Sequence, residues 1–213
     1  MESMNSSEAI ESGITTVIFD FGMVISSFEV AQFLRNLVPI TGKSVEELKQ
    51  VLAVVREFVV DYETGLVTTD EFVAKVLSAT RLPISGEEFR LAYNNIFTPI
   101  PFTSELIRRL KPRYRLGLLS NTSEWHFQHA IKTVEVFPLF DAVTLSFEVK
   151  AMKPAEAIYR DMLSKLGATP QECVYIDDLP ENIESAARLG MHAIRYVSPD
   201  QIVADLQKAG LVF

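Results

Sequence analysis

The stretch TTVIFDFG, residues 15–22, is β-branched and apolar from Thr15 to Phe19, stops at the carboxylate of Asp20, and reaches Gly22 after one aromatic residue. An apolar run without polar alternation suits a strand buried on both faces of a parallel sheet. Its polar ending puts Asp20 at the carboxyl end of that strand, the edge where open α/β sheets bind ligands. Four similar runs follow much later: RLGLL at 115–119, AVTL at 142–145, CVYI at 173–176 and AIRY at 193–196. Helical segments are expected after three of these later runs, over 124–133, 154–166 and 180–189. Pro154 is placed at a first helical position and Gly190 at a C-terminal stop. This alternation predicts an α/β fold with a doubly wound, Rossmann-like parallel sheet as its core.

Residues 26–98 break the alternation. Ser44-x-x-Glu47, Thr68-x-x-Glu71 and Ser85-x-x-Glu88 have the form of capping boxes, each opening a helix, over 45–60, 69–79 and 86–96. An earlier helix is expected over 30–37. Four consecutive helices without a strand predict an inserted helical bundle. The domain plan is thus a polar, disordered leader at 1–13, an α/β core at 14–25 and 99–213, and a helical cap at 26–98. Its joins fall near 25–28 and 99–101.

A chain of 213 residues, 48% of them apolar, can bury a hydrophobic core without staples. Cys173 is its single cysteine, which excludes an intramolecular disulfide and suits a reducing cytoplasm, the expected location. A formal net charge of −8 without a basic block argues against a nucleic-acid partner. No apolar run approaches the roughly 20 residues of a membrane span. The chain is expected to act as a monomer or homodimer.

What stands beyond each apolar run carries the chemistry. Asp20 and Gly22 follow the first, Ser120 and Asn121 the second, Lys153 the third, and Asp177 and Asp178 the fourth. Three carboxylates at one rim repel each other unless a cation joins them, and hard oxygen ligands select Mg²⁺. Beside such an ion Asp20 is a candidate covalent nucleophile. Ser120, Asn121 and Lys153 are candidate donors to a phosphoryl group.

The segments VIFDFGMVI (17–25), LLSNTS (118–123), MKP (152–154) and YIDDLPENI (175–183) resemble, in order and spacing, the four motifs of the haloacid dehalogenase-like hydrolases. The resemblance runs from about Ile14 across nearly the whole chain, with the helical insert where that family places a cap. It implies Asp20 as nucleophile and metal ligand, the Gly22 carbonyl as a second ligand, and Asp178 as a third with Asp177 supporting it. It also implies Ser120, Asn121 and Lys153 around the phosphoryl group, with Lys153 offsetting the carboxylate charge.

One departure matters. Most phosphatases of that family carry a second Asp where this chain has Gly22, and that residue protonates the leaving group. General acid catalysis contributes about 10²- to 10⁴-fold. The first motif resembles a subgroup that includes a phosphatase of α-D-glucose 1-phosphate, and the segment Tyr62-Glu63-Thr64-Gly65 resembles that subgroup's cap. The expected reaction is therefore Mg²⁺-dependent hydrolysis of a small phosphorylated metabolite, such as a sugar 1-phosphate, through an aspartyl-phosphate on Asp20. The alternatives are a 2-haloacid dehalogenase-type hydrolase, disfavoured by the Asp177–Asp178 pair, and a regulatory or binding member that has lost turnover. Trp125 or Phe127 is expected to pack, with His126 and His129 partly exposed rather than ligating, Glu63 to be solvated at a helix end, and Asn182 to brace the acidic loop.

Overall fold

The computed structural model describes residues 13–213, so the expected leader at 1–13 falls, but for Gly13, outside the described residues. In chain order the elements are β1 (Thr16–Phe19), β2 (Ser26–Phe28), α1 (Val30–Thr41), α2 (Val45–Glu63), α3 (Thr69–Thr80), α4 (Gly86–Asn94), β3 (Phe97–Pro99), α5 (Pro101–Leu110) and β4 (Arg115–Ser120). They continue as α6 (Glu124–His129), β5 (Ala142–Leu145), α7 (Ser146–Val149), α8 (Glu156–Leu166), β6 (Cys173–Asp177), α9 (Pro180–Arg188), β7 (His192–Arg195) and α10 (Pro199–Lys208).

Five strands form an entirely parallel sheet in the order β5-β4-β1-β6-β7. Alternate residues of each strand feed opposite layers. Val17 and Phe19 pack with Leu106, Ile107 and Leu110 of α5 and Ile202 and Leu206 of α10, whereas Ile18 packs with Ile158, Tyr159 and Met162 of α8. The chain runs outward from β1 through β4 to β5 and then returns to β6, which makes β1/β6 the topological switch where a ligand crevice opens.

Helices α1–α4 own a separate apolar cluster centred on Leu48, Tyr62, Phe72 and Phe89. All three capping boxes form, each with reciprocal hydrogen bonds between hydroxyl and glutamate. Several details differ from expectation. The inserted segment is bounded by strands β2 and β3, which pair antiparallel across some seventy intervening residues. Three-residue strands carry no periodicity, so only their long-range pairing makes them. Helix α1 continues through Pro39, and α2 runs to Glu63. Helix α8 starts at Glu156, because Ala155 is extended and the Pro154 carbonyl accepts from Ser185 Oγ at 2.7 Å. Helices α5 and α10, each with Pro in the first turn, were not anticipated. No helix among the described residues is long and apolar enough to cross a membrane.

Candidate active site

Asp20 leaves β1 with its N–H on the Ile176 carbonyl of β6 at 2.9 Å, so strand pairing itself holds it at the switch point. Its Oδ1 accepts from the Phe21 N–H at 2.6 Å and from the Lys153 ammonium at 2.7 Å. The same ammonium reaches Asp177 Oδ2 at 2.7 Å and the Leu119 carbonyl at 3.3 Å. Burial lowers the affinity of Lys153 for its proton, but the two carboxylates outweigh burial and hold its pKa above the usual lysine value. It is a fixed cation between two anions.

Asp177 is wholly buried and its oxygens are committed. They accept from the Leu179 N–H at 2.9 Å, from Asn182 Nδ2 at 3.0 Å, from Lys153, and from the Tyr175 hydroxyl. Burial opposes its ionisation, yet Lys153 and these donors hold its pKa below the usual carboxylate range. Asn182 thus braces the acidic loop, as its place at a helix start suggested. Tyr175 does so unforeseen, since its hydroxyl returns toward Asp177 only because both lie on one face of β6. Asp178 is half-buried, and its carboxylate accepts from no other residue among those described. Burial and the neighbouring Asp177 raise its pKa.

Asp20, Asp177 and Asp178 each present a carboxylate oxygen within 4.8 Å of the other two. Three carboxylates facing one ammonium leave an excess of negative charge. Burial accordingly pushes the Asp20 carboxyl up to about 7, against the pull of Lys153. A divalent cation there would restore its ionisation, and the all-oxygen donor set suits a hard ion.

Ser120 is buried at the end of β4. The Asn121 side chain departs from expectation. Its Nδ2 donates to the Lys153 carbonyl at 3.0 Å and its Oδ1 accepts from the Lys153 N–H at 2.7 Å. A primary amide matches a backbone N–H and C=O in complementary fashion, so the side chain fixes Lys153 rather than pointing at an anion. In the turn after Asp20, the Ile25 and Ser26 N–H groups share the Phe21 carbonyl, and Met23 takes a left-handed φ of 58°. Gly22 lies inside this turn, and a Cβ on it would stand 3.1 Å from the Phe28 ring.

A cavity of about 230 Å³ separates the core rim from the helical bundle. Its floor is Gly22, Ser120, Asn121 and Thr122, and its roof comes from α1, α2 and α4. Glu63, expected to be solvated, is turned into this space from the end of α2. Its carboxyl has no hydrogen-bond partner among the described residues, and burial pushes it up to about 7. His126 is buried and stacked on Tyr93 with centroids 4.3 Å apart; burial lowers it to about 4, so it is neutral packing. His129 lies outside the cavity beside Arg90.

A model of haloacid dehalogenase-like hydrolases matches residues 14–190. The chain belongs to that family. Among its relatives, acyl-CoA dehydrogenase family member 10 of Mus musculus is 26% identical over 153 residues, 67% of this chain but only 14% of that protein. D-ribitol-5-phosphate phosphatase of Bacteroides thetaiotaomicron is 25% identical over 193 residues, 85% of this chain and 91% of that one. A crystal structure of a HAD family enzyme from the same organism matches with a TM-score of 0.77 at 26% identity, covering 87% and 94% of the two chains. That enzyme has also been crystallised with magnesium and inorganic phosphate (TM-score 0.74, 24% identity).

Proposed function

We propose that this hydrolase is a Mg²⁺-dependent phosphatase of a small monoester, with Asp20 as its nucleophile. The observation that carries this reading is the division of labour between two adjacent carboxylates. Asp177 is saturated with donors, while Asp178 and Asp20 keep oxygens for a cation. The magnesium and phosphate bound by the Bacteroides enzyme and the phosphatase activity named for the ribitol phosphate relative support it.

In this scheme Asp20, the Gly22 carbonyl and Asp178 hold the ion, and Asp177 braces Asp178 and Lys153. The ion, when bound, shields the carboxylates and draws charge from the phosphoryl oxygens. Asp20 attacks phosphorus through the oxygen not held by Lys153. The ester P–O bond breaks as the Asp20–phosphorus bond forms, and the electron pair departs on the leaving-group oxygen. Water then cleaves the aspartyl-phosphate, releasing phosphate and restoring Asp20. Lys153, Ser120 and the main chain of Asn121 hold the phosphoryl group. Helices within 26–98 act as the cap that excludes water from the intermediate.

Phosphate release from acetyl phosphate, with Mg²⁺ or with EDTA, tests the scheme. Chelation is expected to abolish release, and Asp20→Asn to lower it by at least about 10³-fold. Unchanged release in Asp20→Asn refutes the nucleophile. Halide release from a 2-haloacid without metal would instead favour the dehalogenase reading.

A further inference from the structure

The cavity above the phosphoryl site is a poor host for a sugar. Its walls on the leaving-group side are Phe21, Phe28, Phe33, Val55, Val59 and Phe97. The charged side chains lining it are Glu63 and Arg56, neither in a salt bridge among the described residues, and the His126 ring is neutral with Nε2 against the Tyr93 carbonyl at 3.2 Å. A hexose presents several hydroxyls, each of which loses water on entry and needs a partner in return. Ser120, Asn121 and Thr122 lie on the phosphoryl floor, so against six apolar walls only Glu63, Arg56 and Tyr93 remain to meet that demand. Apolar cavities near 150 Å³ admit a benzene ring, so about 230 Å³ holds a substituted ring.

A second observation points the same way. Where most phosphatases of the family carry the acid that protonates the leaving group, this chain has Gly22. The edge of the Phe28 ring stands 3.1 Å from where a Cβ would be. With no acid at position 22, the site suits a departing oxygen that is stable with little proton transfer. Phenolate and enolate oxygens meet that condition because their charge spreads into a π-system, and their flat carbon frames match aromatic walls.

We propose that the substrate is the monophosphate ester of a flat, largely apolar group, an aryl or conjugated enol phosphate. This rests on the phosphatase reading above and names the substrate class of that site. The P–O bond breaks with its electron pair on the aryl or enol oxygen. That oxygen then takes up the proton lost by the water that cleaves the aspartyl-phosphate, so atoms and charge balance. Glu63 and Arg56 are left to anchor a single polar substituent.

Binding and turnover separate fit from intrinsic reactivity. With Mg²⁺ present, phenylphosphonate is expected to bind at least about 10-fold more tightly than methylphosphonate by calorimetric titration, the scale of burying one ring-sized apolar group. Phenyl phosphate is expected to exceed α-glucose 1-phosphate in kcat/KM by a larger margin still. Val59→Gln, and separately Phe28→Ser at a half-exposed ring where folding is not at stake, should each reduce the phenylphosphonate preference several-fold. Equal phosphonate affinities, or a preference for the sugar phosphate, overturn the proposal. If Asp20-dependent release from acetyl phosphate persists in that case, the phosphatase reading stands and only the substrate class falls. Absence of any Asp20-dependent release removes both.

Discussion

In the proposed reaction Gly22 and Phe28 together set the chemistry of the leaving-group side. The Phe28 ring edge occupies the direction in which a side chain at 22 would project, at 3.1 Å from its Cβ. The ring is 41% exposed and can rotate away. Gly22→Asp therefore introduces a carboxyl beside the leaving oxygen at the cost of shifting one mobile ring. Turnover of an alkyl monoester such as glycerol 3-phosphate should rise by 10-fold or more, toward the lower end of what general acid catalysis supplies, about 10²-fold. Phenyl phosphate should gain little, because its leaving group does not need the proton. Parallel kcat measurements check this; an equal gain on both substrates, or on neither, contradicts the leaving-group argument. Asn121 makes a second residue-scale point. An Asn after a strand in a phosphate-site motif suggests an anion donor, yet here the amide spends both ends on the backbone of Lys153. The residue type was legible in the sequence, and the direction of its side chain was not, because that direction depends on a loop 32 residues away.

At the level of elements, the end of α2 is where the helical insert meets the core. The Glu63 carbonyl accepts from Ser146 Oγ at 2.5 Å, the Gly65 carbonyl from Lys150 Nζ at 2.5 Å, and Tyr62 Oη from the Trp125 N–H at 3.2 Å. Gly65 has φ of 68°, and a Cβ there would fall 2.1 Å from the Phe147 carbonyl oxygen. Gly65→Ala must then lift this corner from α7. The expected outcome is a lower Tm, by more than about 1 kcal/mol of stability, with KM raised more than kcat is lowered. A variant with wild-type Tm and KM would show that the corner adjusts freely. Periodic and capped elements were readable in the sequence: the apolar strands, and the helices behind Ser44, Thr68 and Ser85, carry their own local signals. Strands β2 and β3 carry none, since each is three residues long and exists only through the other. Helices α5 and α10 were missed although Pro101 and Pro199 are sound first-turn residues.

For the molecule as a whole, closing the helical layer over the sheet takes a carboxyl partly out of water without a hydrogen-bond partner for it among the described residues. Glu63 has an ordinary pKa of 4.5, and burial raises it to about 7 in the folded protein. A group whose folded pKa is raised stabilises the fold fully below its unfolded pKa, and that stability is lost as pH rises through the folded value. Glu63→Gln removes this dependence. The variant's Tm should match wild type near pH 4, exceed it increasingly between pH 4.5 and 7, and keep a constant lead above that; a difference independent of pH throughout would place Glu63 in solvent. Comparing the two proteins cancels the titration of Asp20. By itself the sequence determined the parallel α/β core, the helical insertion, and the convergence of Asp20, Ser120, Lys153, Asp177 and Asp178 on one rim. Each follows from local patterning plus the rule that strand ends share an edge. Only the tertiary structure decided which acidic oxygens are already spent, that Asn121 holds Lys153, and that the cavity over Gly22 and Ser120 is walled by aromatic rings. Those depend on side-chain directions across layers far apart in the chain, where periodicity and composition carry no information.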